Sequence, residues 1–247
     1  MKKILITIIL GLLTICSGYS ITAEEILQNV DENRSVGTNF EMTIYMEDYR
    51  KGVLSETTTL KGFVKGPDKS MVAYTEPVNM KGRKILMVSD DMWVFLPDTK
   101  KPVRLTASQR LLGQASNGDV VKVRFDYDYS ASLSGDETIT DINSGSRNCY
   151  RLNLTAKRSG ATYHSLTLWV EKETCYPVRA DFFALSGKKL KTAYYSGLKV
   201  MEGKNVITKT TIYDEIIKDN YTMIENIDLK KAEVDDRYFN KEYLQRL

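Results

Sequence analysis

Apolar and polar residues alternate along most of this chain, with the period of two that half-buried β-strands show. The clearest example lies between residues 163 and 199. Two apolar files there flank a turn at residues 171–174: Leu166, Leu168 and Val170 before it, and Val178, Ala180 and Phe182 after it. A second turn at Ser186 and Gly187, where glycine can take a positive φ, leads into a third strand from Leu190 to Leu198. The pattern predicts an antiparallel meander of three strands.

Similar alternation occurs on both sides of this meander. Near the N-terminus, four apolar residues alternate with polar ones: Phe40, Met42, Ile44 and Met46. Further runs are bounded by Gly, Pro and Asp turns. These predicted strands are Val53 to Val64, Ser70 to Thr75, Lys84 to Val88, Met92 to Leu96, Val103 to Leu105, Tyr150 to Ala156, Val206 to Ile217 and Tyr221 to Leu229. Without the short run Val103 to Leu105, the total is about ten or eleven strands of ordinary length.

Short helices are predicted where the strand pattern breaks. Thr22 and Glu25 have the spacing of a capping box, and three apolar residues follow at helical spacing: Ile26, Leu27 and Val30. These features predict a helix from Ala23 to Arg34. A second, brief helix is predicted from Ala107 to Gly113. Between Gln114 and Ser146 the pattern is mixed and fits either an irregular strand or a loop with a helical turn.

An antiparallel sheet of this many strands cannot stay flat, because strand twist accumulates. A curled sheet of more than about eight strands encloses a cavity or is plugged by other elements. We therefore predict a mainly β (α+β) fold, in which a curled antiparallel sheet forms a half-open barrel. The short helices would serve as its plug or lid.

The first twenty residues have the layout of a secretory signal peptide. The start is positively charged, residues 4–15 are apolar but too few to span a bilayer, and small residues follow. We expect cleavage after Ser20, with Ala23 as the alternative. Residues 21–247 would then form one β domain in the periplasm, which is within the usual size of a single β domain.

The cysteines bear on anchoring and on stability. Cys16 follows Ile15 rather than the small residue of a lipid-attachment box, so we expect no lipid anchor there. Removal of the signal leaves Cys149 and Cys175 in an oxidising compartment. Cys149 begins one predicted strand and Cys175 follows another, and pairing of these strands would bring both sulfurs to the same end of the sheet. We predict a disulfide between them, with two free thiols as the alternative.

Charge and motifs exclude several functions. The net charge is +3 and falls to +1 without residues 1–20, which is too near neutral to direct the protein to nucleic acid. The single histidine, His164, has no cysteine or carboxylate at metal-ligand spacing. The acidic pairs at 90–91 and 126–128 lack the glycine and closing glutamate of a calcium loop. No nucleophile elbow or phosphate loop occurs. We predict a protein that is not an enzyme and that holds no metal or cofactor.

Nine methionines occur in the chain, and many of them fall on predicted strands among aromatic residues. They include Met42, Met46, Met71, Met87 and Met92. Methionine packs adaptably and suits a surface that accepts a flexible apolar ligand. At any single position an ordinary core residue is the simpler interpretation, and the two interpretations differ only in whether the barrel is hollow.

Five segments, in this order along the chain, resemble the outer-membrane lipoprotein-sorting protein family, in its broad branch of exported lipoprotein-carrier-like proteins. They are Gly82 to Leu86, Asp91 to Pro97 ahead of Val103 to Leu105, Leu168 to Thr174 with Pro177, Phe182 and Phe183 before Gly187 to Lys191, and Phe239 with Leu244. The resemblance implies a half-open barrel whose apolar concave face holds lipid or the acyl chains of a lipoprotein. It also implies an export pump of the resistance-nodulation-division type as a possible partner of some members.

These observations together lead to a hypothesis of function. We expect a monomeric periplasmic carrier that binds lipid or lipoprotein acyl chains for transfer toward the outer membrane. The predicted lining residues are Phe40, Met42, Ile44, Met46, Trp93, Phe95, Leu166, Leu168, Val178 and Phe182, with Leu111 and Leu112 in the lid. The alternatives are a scaffolding protein of the envelope with a filled interior and, with least support, a hydrolase of envelope lipids.

Overall fold

In the computed structural model, which describes residues 21–99, 101–106, 109, 117–121 and 124–246, thirteen strands form one antiparallel sheet. The strands are β1 Asn39–Arg50, β2 Val53–Lys65, β3 Lys69–Glu76, β4 Lys84–Val88, β5 Asp91–Phe95, β6 Val103–Arg104, β7 Tyr129–Thr140, β8 Ser146–Ala156, β9 Ser165–Glu171, β10 Pro177–Phe183, β11 Lys189–Met201, β12 Lys204–Asp214 and β13 Tyr221–Lys231. Most follow the alternating runs of the sequence.

The order of the strands gives an unclosed barrel. Strands β1 to β6 form one run of neighbours, strands β7 to β13 form another, and the two runs join where β1 pairs with β13. Within the described part of the chain, β6 and β7 are the two edges and do not pair with each other. The predicted fold class, a curled antiparallel sheet in a half-open barrel with short helices, is confirmed.

Three α-helices accompany the sheet in the described residues: α1 Ala23–Glu32, α2 Asn117–Val121 and α3 Phe125–Asp128. Helix α1 begins with the predicted capping box, in which the Thr22 hydroxyl accepts from the Glu25 amide and the Glu25 carboxylate accepts from the Thr22 amide. Single-turn 3-10 helices occur at Pro97–Thr99, Asp236–Phe239 and Lys241–Tyr243. None of the described helices is long and apolar enough to span a membrane.

The sheet has two buried faces. We call the face that α1 and α2 cover the inner face. Helix α1 packs on the part formed by β7 to β13, and Val120 of α2 packs on the part formed by β1 to β5. On the outer face, the C-terminal segment covers β2 to β5, where Tyr238 stacks on Phe63 with 3.9 Å between ring centroids. A smaller outer cluster contains Cys149, Trp169 and Val178.

One strand, β7, lies in the segment Gln114 to Ser146, for which the sequence left open an irregular strand or a loop with a helical turn, and the count of ten or eleven strands was too low. Its sequence, YSASLSGDETIT, contains only two large aliphatic residues, Leu133 and Ile139. Most of its side chains are exposed because it pairs only with β8 and forms an edge of the sheet. An edge strand exposed in this way does not need the apolar file that sequence patterns detect.

The predicted disulfide between Cys149 and Cys175 is wrong, because both cysteines are free thiols. Cys149 lies on the outer face beside Trp169. Cys175 lies in the turn after β9 and packs on the inner cluster, where the Asn29 side-chain nitrogen is 4.0 Å from its sulfur. The sheet separates the two sulfurs. Burial also raises the pKa of Cys149 to about 11, so this thiol stays protonated and unreactive.

Two other sequence predictions lie outside the described residues. The signal peptide and Cys16 fall within residues 1–20. Of the predicted helix Ala107 to Gly113, only Gln109 is described, where the backbone is helical.

Candidate functional site

A cavity of about 90 Å³ lies on the inner face, between the cluster under α1 and the cluster under α2. Its wall on the sheet side is mainly apolar, with side chains from β1 and from β10 to β13. These are Met42, Ile44, Phe182, Ala193, Ile212 and Ile224. Because the inward positions of neighbouring strands align across an antiparallel sheet, these residues form one continuous surface.

The opposite wall of the cavity is polar and charged. Arg34, just after α1, contributes to it, as do Asp119 of α2, Arg124 just before α3, and Asp128 of α3. The cavity is therefore amphipathic, with an apolar floor on the sheet and ionic groups beneath the short helices. This arrangement fits a molecule that has both an apolar and a polar part.

Helix α2 is held to the sheet by a buried ion pair. The Lys191 ammonium of β11 lies 3.0 Å from Oδ2 of Asp119, and both side chains are only 7% exposed. The Tyr163 hydroxyl is 2.9 Å from each Asp119 carboxylate oxygen and donates to that carboxylate. Lysine and aspartate are rarely this buried unless they are paired, so the contact fixes the position of α2 over the cavity.

Helix α3 is held to α1 by a second polar contact. The Asp126 amide donates to Oδ2 of Asp31, at 2.8 Å, and the Arg34 guanidinium lies 3.7 Å from Oδ1 of the same carboxyl. Arg34 also lies over the rings of Phe125 and Tyr195, at 4.7 and 5.4 Å from their centroids. These contacts close the cavity from the side of α1.

Stability is expected to fall as the pH rises through the range in which Asp31 ionises. Burial raises the pKa of Asp31 to about 7, against the attraction of Arg34, whereas an unfolded aspartate has a pKa of about 3.9. Between these values the folded state binds more protons than the unfolded state, so each rise in pH favours unfolding. We expect the free energy of unfolding to be lower at pH 8 than at pH 5 by roughly 2 kcal/mol.

Urea denaturation of the protein and of Asp31→Asn at both pH values measures this effect. The asparagine variant cannot ionise, and it should lose most of the difference. An equal pH dependence in both proteins would show that Asp31 is not the group responsible.

Most of the predicted lining residues lie on the inner face, but few reach the cavity. Three line it: Met42, Ile44 and Phe182. Four lie in the adjoining inner clusters: Phe40, Met46, Leu166 and Leu168. Three lie on the outer face: Trp93, Phe95 and Val178. Leu111 and Leu112 are outside the described residues.

The outward position of these three residues has a structural explanation. In β4 and β5 both faces are buried, so an alternating file of apolar residues does not mark the inner one, and Met92 and Val94 point inward instead of Trp93 and Phe95. Val178 sits at a register shift between Pro177 and Arg179, which moves its side chain to the opposite face.

The polar wall could not be predicted from the sequence pattern. Asp119 on α2 and Arg124 just before α3 lie in the segment of mixed pattern, where the helices are too short to show periodicity. Lys191 is the second residue of the predicted strand Leu190 to Leu198 and follows two other lysines, Lys188 and Lys189, so its sequence context does not mark it as buried. The available signal was the occurrence of acidic and basic residues among aromatic ones between 119 and 129.

The cavity can bind an apolar group, but its present size is small. Pockets for small molecules usually measure about 300 to 1,000 Å³. A volume of about 90 Å³ holds only part of an acyl chain. A longer chain requires α2 and α3 to move away from the sheet. Within the described residues no group of three or more His, Cys, Asp or Glu side chains could hold a metal ion.

Known proteins share this architecture. A LolA superfamily protein from Nitrosomonas europaea has 31% sequence identity and a TM-score of 0.81, over 91% of this chain and 100% of that one. A DUF1329 family protein from Desulfovibrio piger has 22% identity and a TM-score of 0.75, over 90% and 98%. A putative outer-membrane lipoprotein-sorting protein domain from Vibrio parahaemolyticus has 19% identity and a TM-score of 0.74, over 91% and 98%.

The last two of these, being under 25% identical, show the fold alone. A family model whose description is "Uncharacterized protein" matches residues 66–246. No curated protein sequence matches the chain. The resemblance inferred from the sequence motifs is confirmed. Because it shares 31% sequence identity with the Nitrosomonas protein over 91% of its own length, the chain belongs to the LolA superfamily.

Proposed function

We propose that this protein is a periplasmic carrier that binds lipid, or the acyl chains of lipoproteins, and carries them toward the outer membrane without covalent chemistry. The observation that carries the proposal is an apolar inner face covered by short helices rather than by a second sheet. Such a cover can move without unfolding the sheet. Membership of the LolA superfamily supports the same class of ligand.

The energy of burying an acyl chain is large enough to displace the helices. Each buried methylene contributes about 0.8 kcal/mol, so a chain of about sixteen carbons gains roughly 12 kcal/mol before ordering costs. Among the described residues, the contacts that hold α2 and α3 are a few polar groups and two apolar side chains, Val120 and Phe125. Ligand binding can therefore supply the free energy that opening requires.

Native mass spectrometry of the protein purified from its own envelope tests the proposal. A bound mass equal to that of a lipid or an acylated peptide is the expected result. A ligand-free protein that also takes up no apolar fluorescent dye would contradict it.

Ala193→Met is expected to weaken the binding of an apolar dye by about tenfold, which corresponds to about 1.4 kcal/mol. Ala193 is fully buried in the cavity wall, so the longer side chain occupies the space that the dye needs. Dye titration followed by fluorescence measures the change.

The matched control is Ala73→Met, which adds the same side chain on the outer face. It should leave dye binding unchanged. Equal weakening by both substitutions would mean that the dye does not bind in the cavity.

The second candidate is a scaffolding protein of the envelope whose interior is filled. The small volume of the cavity favours it. The dye experiment separates the two, because a permanently filled barrel takes up no dye. An exporter of the resistance-nodulation-division type as partner stays a prediction, as does the monomeric state.

A further inference from the structure

A second concave region adjoins the cavity on the far side of α3. This cleft, of about 700 Å³, is open to solvent and is lined by side chains that include Arg124, Asp126, Tyr127, Lys157 and Arg158. Three of these five residues are cationic and one is acidic. The cleft is distinct in character from the cavity, whose floor is apolar.

The cleft and the cavity share one lining residue. Arg124 lines both of them. The residues of α3 divide between the two sides, since Phe125 faces the cavity whereas Asp126 and Tyr127 face the cleft. The Arg124 side chain therefore separates the apolar cavity from the cleft, and an elongated molecule with one end in each would pass beside it.

The cations of the cleft are arranged by specific contacts. The Arg124 Nε donates to Oδ1 of Asp126 at 2.8 Å. The guanidinium of Arg158 lies 4.2 Å from the centroid of the Tyr127 ring and 3.0 Å from a carboxylate oxygen of Asp90. Both guanidinium groups are thus held in place at the cleft.

Lys157 supplies the charge that no carboxylate balances. Its ammonium donates to the backbone carbonyl of Asp126 at 2.7 Å, and within the described residues no carboxylate lies within ion-pair distance of it. The described residues that line the cleft, taken with the neighbouring Asp90, include three cations and two carboxylates. A surplus positive charge beside two oriented guanidinium groups suits an anion with several oxygen atoms, such as a phosphate.

We propose that this cleft binds the phosphate of an anionic lipid whose acyl chain occupies the cavity. The inference rests on the proposed function for the apolar part of the ligand, and it adds the class of the polar part. Lys157 would contact the phosphate directly, and Arg124 and Arg158 would complete the anionic site. The protein would then select phosphate-bearing lipids over neutral lipids of the same chain length.

Competition with an apolar fluorescent dye tests this selection on the full mature chain. The competitors are dodecyl phosphate and dodecyl maltoside, which share the same alkyl chain, and inorganic phosphate, which has no alkyl chain. We expect dodecyl phosphate to bind about tenfold more tightly than dodecyl maltoside at low salt, and we expect the preference to shrink as salt is added.

Lys157→Gln should weaken the binding of dodecyl phosphate by about fivefold and leave the binding of dodecyl maltoside unchanged. Lys157→Arg should keep the wild-type preference for dodecyl phosphate. Lys157 is exposed, so neither change should affect folding. Lys218→Gln is the matched control. Lys218 lies in the turn after β12, near the C-terminal end of β1. The cleft lies near Thr38, which precedes the other end of that strand. It should have no effect.

The outcomes are separable. Equal affinity for both amphiphiles, or an unchanged preference in Lys157→Gln, would overturn the headgroup site and leave the carrier function intact. Binding of inorganic phosphate alone, lost in Lys157→Gln, with no preference between the amphiphiles would show a site for free phosphate and would also overturn the proposal. If neither amphiphile displaces the dye, the carrier function itself fails and the headgroup proposal fails with it.

Discussion

Asp119→Ala is expected to lower the free energy of unfolding by about 3 to 5 kcal/mol. The substitution removes the carboxylate that pairs with Lys191 at 3.0 Å and accepts from the Tyr163 hydroxyl, in a place where both charged side chains are almost fully buried. Breaking one side of a buried pair is costly because the other charge stays in the interior. Denaturation with guanidinium chloride, followed by tryptophan fluorescence, measures the loss.

The matched control is Asp228→Ala in an exposed pair. Asp228 and Lys230 are 2.7 Å apart, but their side chains are 43% and 65% exposed. Surface pairs contribute about 0 to 1 kcal/mol, so this variant should be close to wild type. If the two variants lost the same stability, the Asp119 contact would not be the anchor of α2 that its burial indicates. Asp119→Ala should also increase dye uptake, because α2 covers the cavity.

Gly118→Ala is the second substitution with a large expected effect. We expect it to lower the free energy of unfolding, although helix propensity predicts a rise. Alanine is a better helix former than glycine by about 1 kcal/mol, so propensity alone predicts a gain in stability. In this structure a Cβ at position 118 would lie 2.8 Å from the Cβ of Thr162 and closer still to both of its γ atoms. We expect a loss of about 1 to 3 kcal/mol and an increase in dye uptake.

The clash cannot be relieved by rotation of one side chain. Threonine is branched at Cβ, so each rotamer leaves Cβ in place and directs a γ atom into the restricted space. Helix α2 must therefore move away from Thr162 and expose the cavity. The double variant Gly118→Ala with Thr162→Gly removes the obstructing atoms and should close the cavity again. Its dye uptake should therefore be no higher than that of Thr162→Gly alone. A stabilised Gly118→Ala protein with unchanged dye uptake would contradict the expected displacement.

Strands with one buried face were predictable from the sequence. In β1, the side chains of Phe40, Met42, Ile44 and Met46 are buried, and they alternate with partly exposed residues as the sequence pattern indicates. The same reasoning identified the capping box of α1. In both cases the signal is local, because the periodicity of the residues directly records which side of the element meets the core.

Two kinds of feature were not predictable in this way. In β4 the three residues Ile85, Leu86 and Met87 are all buried, so the pattern does not distinguish the inner face from the outer face. The polar wall of the cavity depends on residues distant in sequence, such as Asp119 and Lys191, whose pairing follows from the path of the chain around the open edge. A local pattern contains no information about such a contact.

The junction between β1 and β13 has a consequence for how the chain folds. Every other neighbouring pair of strands is consecutive along the chain, whereas Phe40 pairs with Lys231. Closing so long a loop costs more entropy than forming a hairpin, so we expect the two runs of hairpins to form first and to dock last. Until they dock, β1 and β13 each present a long row of unpaired amides and carbonyls. That intermediate is the form most exposed to aggregation, and the one a chaperone would need to protect.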